Sequence, residues 1–501
     1  MRYLFFLLLT VALYSCSDNG SASKAGETTI EAPDILIGNK ALLIDQHLRK
    51  LEKENNFSGG LFISHNDSLI FCKGYGMANR EAKISFSPAT LCCIGSITKN
   101  FTAAGILALY RDGKLKLDNT LSDYFKNVPA DKKNITIHQL LTHSAGFHEF
   151  LEKDKGDFEE LPDQLFLKRA WSEPLAFKPG TKAVYTNVGM SIAALIIEKA
   201  SGKEYELFLK ETFFDALQIK TGYYALAYDS TKIAVGYQGK TRWGTLQQRY
   251  KTVGGGPYWN LKGNGGLYAS LTDMYIWSKQ SSAILPDSLM QLMFTPYIEE
   301  DGTGGLFSFG YGCSVTKSKR GTKMVDNGGS NGIYHARLIR FPEEGLVFYM
   351  VTNNNACNTN TVLPQVTQLY FEGHISQNAA ANLNSFESKG AEFIYKTILE
   401  RGPDYFTKNI VTDLRANNFA ATDDMLFLEA GQRLIKEQKL DEALALYTLY
   451  TKKFPGIIIA WNDLGEVYLM KGNKAEAKKC FEKALELKPD NERAKRMLKE
   501  L

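Results

Sequence analysis

The stretch from Gly60 to Arg111 constrains the fold more tightly than any other part of the chain. Gly60 to Ser64 and Ser68 to Gly74 are β-rich runs separated by His65-Asn66-Asp67, which predicts a hairpin. Ile97, Phe101, Ala104 and Ala108 then recur at near-helical steps until Asp112-Gly113 supplies a stop. The pattern predicts a helix packed into a core beside an antiparallel sheet. Ser96 and Lys99 lie one turn apart where that helix begins. Positions i and i+3 share a helix face, so the amine can reach the hydroxyl, and the helix N-terminus favours negative charge developing there. A serine hydroxyl is a poor nucleophile until a neighbouring base draws off its proton, so the spacing has a chemical purpose. Ser-x-x-Lys also occurs at Ser21/Lys24 and Ser314/Lys317. The first lies in the polar, aperiodic stretch Ser17 to Glu27 and the second between Gly312 and Gly321, where polar and basic residues dominate. Only the Ser96 match opens a buried helix.

Further along, Tyr185-Thr186-Asn187 follows the turn sequence Phe177-Lys178-Pro179-Gly180-Thr181 and precedes an apolar helix expected over Val188 to Ala200. Its Tyr and Asn side chains can project from a loop. Other landmarks, in order, are Phe57-Ser58-Gly59-Gly60, Gly74-Tyr75-Gly76-Met77-Ala78-Asn79, Leu140-Leu141-Thr142-His143-Ser144-Ala145-Gly146, Gly263-Asn264-Gly265-Gly266-Leu267 and Asn327-Gly328-Gly329-Ser330. With the Ser96 and Tyr185 motifs they make the chain, from about Phe57 to about Asn355, resemble the serine β-lactamase and penicillin-recognising family, in particular its class C β-lactamase, DD-peptidase and esterase branch.

The resemblance implies a mixed α/β (α+β) fold, an antiparallel sheet flanked by helices with a helical subdomain, and an acyl-Ser96 intermediate. It implies that Lys99, or Tyr185 as a phenol of depressed pKa, serves as the base, and that Asn187 binds the substrate carbonyl or holds Lys99. Gly328 and Gly329 would let a substrate approach the strand, and the Ser330 and Ser96 N–H groups would form an oxyanion hole. One departure stands out. Relatives carry Lys-Thr-Gly or His-x-Gly where this chain has Asn327-Gly328-Gly329, so the cation that would bind a β-lactam or peptide carboxylate is missing. Uncharged esters or amides are expected in preference to efficient β-lactamase turnover.

Gly328-Gly329-Ser330-Asn331-Gly332 also matches the Gly-x-Ser-x-Gly nucleophile elbow, but an elbow must run from strand into helix, and Ile333 to Phe341 reads as a strand. His143 reads as a buried hydrogen-bonding residue and Cys92-Cys93 as a buried pair on a strand. With seven His and no His-x-x-x-His or Cys-x-x-Cys pair, no metal and no cofactor are expected.

The amino terminus reads as a leader. Arg2 precedes the apolar run Tyr3 to Tyr14, and Leu13-Tyr14-Ser15-Cys16 resembles a bacterial lipobox. Residues 1–15 are then a lipoprotein signal peptide, residues 16–38 a polar linker, and Cys16 the lipidated residue that anchors the chain to a membrane of the bacterial cell envelope. Seven scattered cysteines do not form a disulfide framework. The 501 residues, 44% hydrophobic and 23% charged, leave room for a hydrolase domain over 39–375, a helical connector over 376–423 and a further module. A net charge of +4 without a basic stripe argues against a nucleic-acid partner.

That further module spans 424–501. Trp461, Leu464, Gly465, Tyr468, Ala477, Phe481 and Pro489 occupy signature positions of a 34-residue tetratricopeptide repeat. Phe427, Ala430, Gly431, Leu434, Ala443, Tyr447 and Pro455 repeat the pattern 34 residues earlier, and Glu492 to Leu501 reads as a capping helix. Two repeats are few for an independent solenoid, so either Phe393 to Ala416 adds helices or the module packs on the hydrolase. The expected function is that of a serine hydrolase acting on a small ester, amide or D-amino-acid-containing peptide. The contrasting expectation is a hydrolase scaffold of little activity that recruits a protein partner through its repeats.

Overall fold

The computed structural model describes residues 34–153, 159–223, 230–249, 258–301, 307–376, 388–417, 419–489 and 491–501. Cys16 and the polar linker up to residue 33 lie outside them.

Nine strands form one antiparallel sheet: β1 (Ile35–Leu36), β2 (Gly59–His65), β3 (Ser68–Tyr75), β4 (Ile298–Glu299), β5 (Ser308–Phe309), β6 (Ser314–Lys317), β7 (Lys323–Ser330), β8 (His335–Phe341) and β9 (Leu346–Thr352). Their order across the sheet is β1-β3-β2-β9-β8-β7-β6-β5-β4. The hairpin turn is Asn66-Asp67, both residues at positive φ (46° and 59°), as a two-residue turn matched to the strand twist requires. β2 pairs with β9 from Gly59↔Thr352 to His65↔Leu346, so two segments nearly 300 residues apart in sequence meet inside the sheet.

Side-chain alternation splits the core into two layers. Leu61 and Ile63 of β2, with Phe348 and Met350 of β9, pack on α1 (Gly38–Asn55) through Ile44 and Leu48. Phe62, Tyr349 and Val351 face the other way, toward the larger cluster that contains α2 (Thr98–Arg111), α3 (Asn187–Ser201) and α4 (Leu271–Ile284). Central strands covered on both faces lose the apolar-polar alternation of a half-exposed sheet; six of the seven β2 residues are buried. Residues Thr98 to Leu109 of α2 are buried without a break, so this helix is a central rod, as the expected packing into a core requires. α5 (Thr359–Glu372) returns to the α1 side through Val362 and Val366.

The C-terminal region is helical: α6 (Lys389–Ala416), α7 (Asp424–Lys436), α8 (Leu440–Lys453), α9 (Ile458–Met470), α10 (Lys474–Leu487) and α11 (Glu492–Glu500). α6 folds back on itself at Gly402, at φ 81°, with Pro403 at the start of its second half. Phe393 to Ala416 thus does contribute a helical hairpin. Within each repeat a glycine admits an aromatic ring from the paired helix: a Cβ on Gly431 would lie 2.6 Å from the Tyr447 ring, and one on Gly465 would lie 2.7 Å from the Phe481 ring. The 34-residue period of these two contacts is the repeat seen as packing. The module also packs on the sheet-containing part of the chain. Asn355 Nδ2 donates to Gln432 Oε1 at 3.0 Å, and a Cβ on Gly332, in the turn between β7 and β8, would fall 1.7 Å from Met425 Cε.

Candidate active site

Ser96 sits in a 3₁₀ turn, Gly95–Ile97, that leads into α2. Gly95 has φ 51°, and β7 approaches so closely that a Cβ on Gly329 would lie 2.0 Å from the Ile94 carbonyl oxygen and 2.9 Å from Ser96 N. Both glycines are therefore dictated by the contact between turn and strand. The turn is pinned from below: Thr98 Oγ1 donates to Gly95 O at 2.7 Å and accepts from Leu267 N at 3.2 Å.

Lys99, one turn on, is buried, and its ammonium meets three acceptors: Ser96 Oγ at 3.1 Å, Asn187 Oδ1 at 2.7 Å and the Asn264 carbonyl at 2.7 Å. Three N–H bonds are all an ammonium has, so the group is fully satisfied. The Asn264 carbonyl is held by its own side chain, which donates to Ser191 Oγ and the Trp259 carbonyl. Gly263, at φ 77°, lets this loop touch α3: a Cβ there would lie 2.5 Å from that of Ala194.

Tyr185 completes the group. Its hydroxyl donates to Ser96 Oγ at 2.7 Å, and Lys99 Nζ lies 4.6 Å from its ring centre. Burial pushes the phenol pKa up, with the Ser96 hydrogen bond pulling the other way. The depressed pKa expected from sequence is corrected accordingly: the site is water-poor around the ring, and the charged phenolate is disfavoured. Thr186 caps α3, accepting Gly189 N on its hydroxyl and giving that hydroxyl's proton to the His148 carbonyl. His143 holds the loop in place. Its buried ring lies 4.9 Å from that of Tyr185, and its Nδ1 accepts Thr186 N at 3.2 Å. Desolvation, aided by the Lys99 charge, pushes His143 down to about 3, so the ring stays neutral and able to accept.

The strand motif divides. Ser330 lies at the pocket, where Gly95 packs against its backbone nitrogen. Its hydroxyl accepts Gly332 N at 2.9 Å and meets His335 Nδ1 at 2.9 Å, so it is engaged in closing the turn into β8, and a strand follows it rather than the helix an elbow needs. Asn327 does not face the groove. The alternation that points Gly329 at the nucleophile turn points Asn327 to the same inner face, where its Nδ2 donates to the Gly312 carbonyl at 2.7 Å and Arg340 reaches its Oδ1 at 3.4 Å. Of Asn327, Gly328, Gly329 and Ser330, only Ser330 lines the pocket.

The pocket has a volume of about 610 Å³ and two walls of different origin. Ser96, Tyr185 and Asn187 belong to the hydrolase wall, and Met425, Gln432 and Arg493 to the repeat module. The sequence reading assigned no role to two members of the first wall. One is Asn264, which works through a backbone carbonyl and so leaves no mark in residue type. The other is Glu149, which lines the pocket and whose carbonyl accepts Asn187 N at 3.1 Å. Burial pushes the Glu149 carboxyl up to about 7, against the pull of Lys99. A lone Glu in a loop carries no spacing signal, although its position five residues after Leu-Thr-His-Ser turned out to matter.

A model of the family described as Beta-lactamase matches residues 44–362, and one of the tetratricopeptide repeat matches 458–491. The chain belongs to the beta-lactamase family. It is 30% identical over 277 residues to PbpX of Bacillus subtilis (strain 168), a protein assigned by name to the penicillin-binding proteins; the match covers 53% of this chain and 65% of that one. It is 26% identical over 270 residues to the D-aminopeptidase of Gluconobacter oxydans (strain 621H), covering 50% and 48%. The chain spans less than two thirds of the length of either relative. Among solved structures, the octameric penicillin-binding protein homologue from Pyrococcus abyssi superposes with a TM-score of 0.57 at 24% identity, over 71% of this chain and 81% of that one. The fold is thus the penicillin-recognising one, with a repeat module appended.

Proposed function

We propose that this member of the family is a serine hydrolase that acylates Ser96 and acts on a small ester, amide or D-amino-acid-containing peptide. The observation that carries the reading is the placement of Ser96 Oγ between Lys99 Nζ at 3.1 Å and the Tyr185 hydroxyl at 2.7 Å. The reactive state is the one in which Lys99 has lost to solvent the proton that its ammonium directs at Ser96 Oγ, leaving the free amine. Asn187 Oδ1 and the Asn264 carbonyl take its two N–H groups, and its lone pair accepts the Ser96 proton as Oγ attacks the substrate carbonyl. The carbonyl oxygen becomes an oxyanion held by the Ser96 and Ser330 N–H groups. Tyr185, kept as a phenol by its burial, hands a proton to the leaving group and is reprotonated from Lys99. Water then repeats the attack on the acyl-enzyme with the same groups in reverse. The inward-turned Asn327 supports neutral esters and amides over penicillins, since it brings no charge to the groove.

Intact-mass analysis after incubation with a fluorophosphonate, and separately with a penicillin, tests the reading. One fluorophosphonate adduct that maps to Ser96 and is lost in Ser96→Ala is expected. A folded protein that takes up no adduct would sink the hydrolase reading and favour a scaffold recruiting partners through its repeats, while rapid penicillin turnover would refute the substrate preference alone. The same proposal places the protein in the bacterial cell envelope, held by lipid on Cys16. Cys16→Ser should move it out of the membrane fraction; unchanged fractionation, with no diacylglycerol mass on the N-terminal peptide, contradicts the anchor.

A further inference from the structure

α1 has two faces. Ala41, Ile44, Leu48 and Leu51 are buried against the sheet, while Leu42, Leu43, Gln46, Arg49, Lys50 and Lys53, spaced at helical intervals, look outward. At the amino-terminal end this outward face is apolar: Ile37, the residue ahead of the helix, is 61% exposed, Leu42 51% and Leu43 40%. Ten large apolar side chains are exposed among the described residues, and three of them fall between positions 37 and 43, the rest being spread from Met77 to Leu487. Single exposed apolar residues are ordinary on a protein surface, whereas a cluster marks a contact. A cleft of about 210 Å³ between α1 and the sheet extends the apolar surface; Ile37, Ile44, Ile63, Ile70, Phe71 and Tyr370 line it. The exposed charges of the helix are mostly positive. Lys40, Arg49, Lys50 and Lys53 stand against Glu54, with Arg49 also paired to the buried Asp45. Leucine beside lysine on the outer side of a helix is the composition that lies in a layer of lipid headgroups. The position of the patch in the chain names the same occupant. The described residues begin at Asp34, directly ahead of Ile37, and on the anchor reading only residues 17–33 separate Asp34 from the lipid on Cys16.

Resting on the lipid-anchor reading, we infer that the outward face of α1 is a membrane-contacting surface, which seats on an anionic bilayer and fixes the orientation of the enzyme above it. Ile37, Leu42 and Leu43 enter the boundary between headgroups and acyl chains, and Lys40, Arg49, Lys50 and Lys53 meet the lipid phosphates. A small patch suffices for this, because a tether converts the contact into an intramolecular one at high effective concentration. The contact also has a direction. α1 lies on one face of the sheet and α2, which begins beside Ser96, belongs to the layer on the other. The sheet then stands between the bilayer and the nucleophile, and substrate reaches Ser96 from the aqueous side rather than out of the lipid.

The test places the full lipidated chain in vesicles of phosphatidylcholine and phosphatidylglycerol with brominated acyl chains, which quench tryptophan on contact. Leu42→Trp is compared with the wild type and with Leu165→Trp, a position equally exposed at 50% on the helix Asp163–Ser172. The added emission of Leu42→Trp should fall about twofold or more, and that of Leu165→Trp hardly at all. Equal quenching at the two positions, or none at Leu42→Trp in vesicle-bound protein, overturns the assignment. Lys50→Glu with Lys53→Glu, added to Leu42→Trp, should weaken the quenching; full quenching after both reversals overturns the choice of an anionic surface. A blue-shifted Leu42→Trp emission without vesicles also overturns the membrane contact: one that grows with protein concentration gives the face to a second copy, and one independent of concentration gives it to the chain's own amino-terminal segment. The mass of the N-terminal peptide separates this inference from the anchor. A lipidated chain that is bound but unquenched refutes the face alone, a chain without lipid that still floats with the vesicles and is quenched refutes the anchor alone, and a chain showing neither refutes both. Thermal unfolding and turnover of a p-nitrophenyl ester, expected to be unchanged in Leu42→Trp, distinguish an altered surface from a misfolded variant.

Discussion

The two walls of the pocket were built in different ways. The first wall joins Ser96, Lys99, Tyr185 and Asn187 through hydrogen bonds of 2.7 to 3.1 Å, set on a buried helix and a capped loop. The repeat wall is drawn from α7, α9 and α11, and it touches the other wall's domain through single contacts such as Asn355 with Gln432 and Met425 over Gly332. Chemistry demands fixed distances of a few tenths of an ångström, whereas selection of a substrate needs only shape and polarity at the far side. The difference implies that changes in the first wall act on kcat and changes in the second on KM.

That contrast can be broken at several points. Ser96→Ala should abolish turnover of a p-nitrophenyl ester, by about 10⁴-fold or more, with an unchanged unfolding curve; residual turnover that disappears only with Ser330→Ala would transfer the role of nucleophile to the strand. Tyr185→Phe removes only the hydroxyl at 2.7 Å, and a fall of about 10²-fold to 10⁴-fold in kcat with little change in KM is expected from loss of an acid catalyst. An unaffected kcat would leave Lys99 to do all the proton transfer. Gly329→Ala forces a methyl to within 2.0 Å of the Ile94 carbonyl, so strand and nucleophile turn must separate. Differential scanning calorimetry should show a loss of about 1–3 kcal/mol, and activity should fall with it. On the repeat side, Gln432→Ala and Met425→Ala should leave the small ester untouched and raise KM for a longer substrate by a few fold. Equal effects on the two substrates would show that α7 only supports the fold.

The smallest expected effect is on pH. His143 binds a proton at about 3 in the folded chain and near its ordinary value of 6.5 when unfolded, so the unfolded state holds more protons between those limits. This contribution to stability is complete above pH 6.5 and declines as the pH falls toward 3. His143→Gln should flatten the acid side of a plot of Tm against pH, and an identical slope would mean that carboxylates alone set it.

The hydrolase core was legible because its signals are local. Asn66-Asp67 encodes its turn in two residues, and the i, i+3 spacing of Ser96 and Lys99 already places an amine beside a hydroxyl. The long-range parts were legible only in kind. Asn327 occupies the strand that the motif order assigned to it and shares the face of Gly329, yet its amide is taken up by the Gly312 carbonyl and does not line the pocket, a long-range contact that the motif does not encode. Ser96 lies in a 3₁₀ turn ahead of α2, packed against Gly329 of β7, a long-range contact that the local spacing does not reveal. The Asn264 carbonyl and the engagement of α7 with the pocket were invisible: the first is a backbone group, and the second joins residues about a hundred positions apart through surfaces whose composition says only helix.

The repeat wall also has an order in time. Ser96, Lys99, Tyr185 and Asn187 are all present once the ribosome has passed residue 187, and β7 and β9 follow before residue 353, whereas α7 begins only at Asp424. A growing chain, or one clipped between α5 and α7, would hold a nucleophile and its proton carriers in a cleft open on one side. On the proposed serine-hydrolase reading, proteolysis ahead of Asp424 is expected to yield a less selective enzyme rather than a dead one.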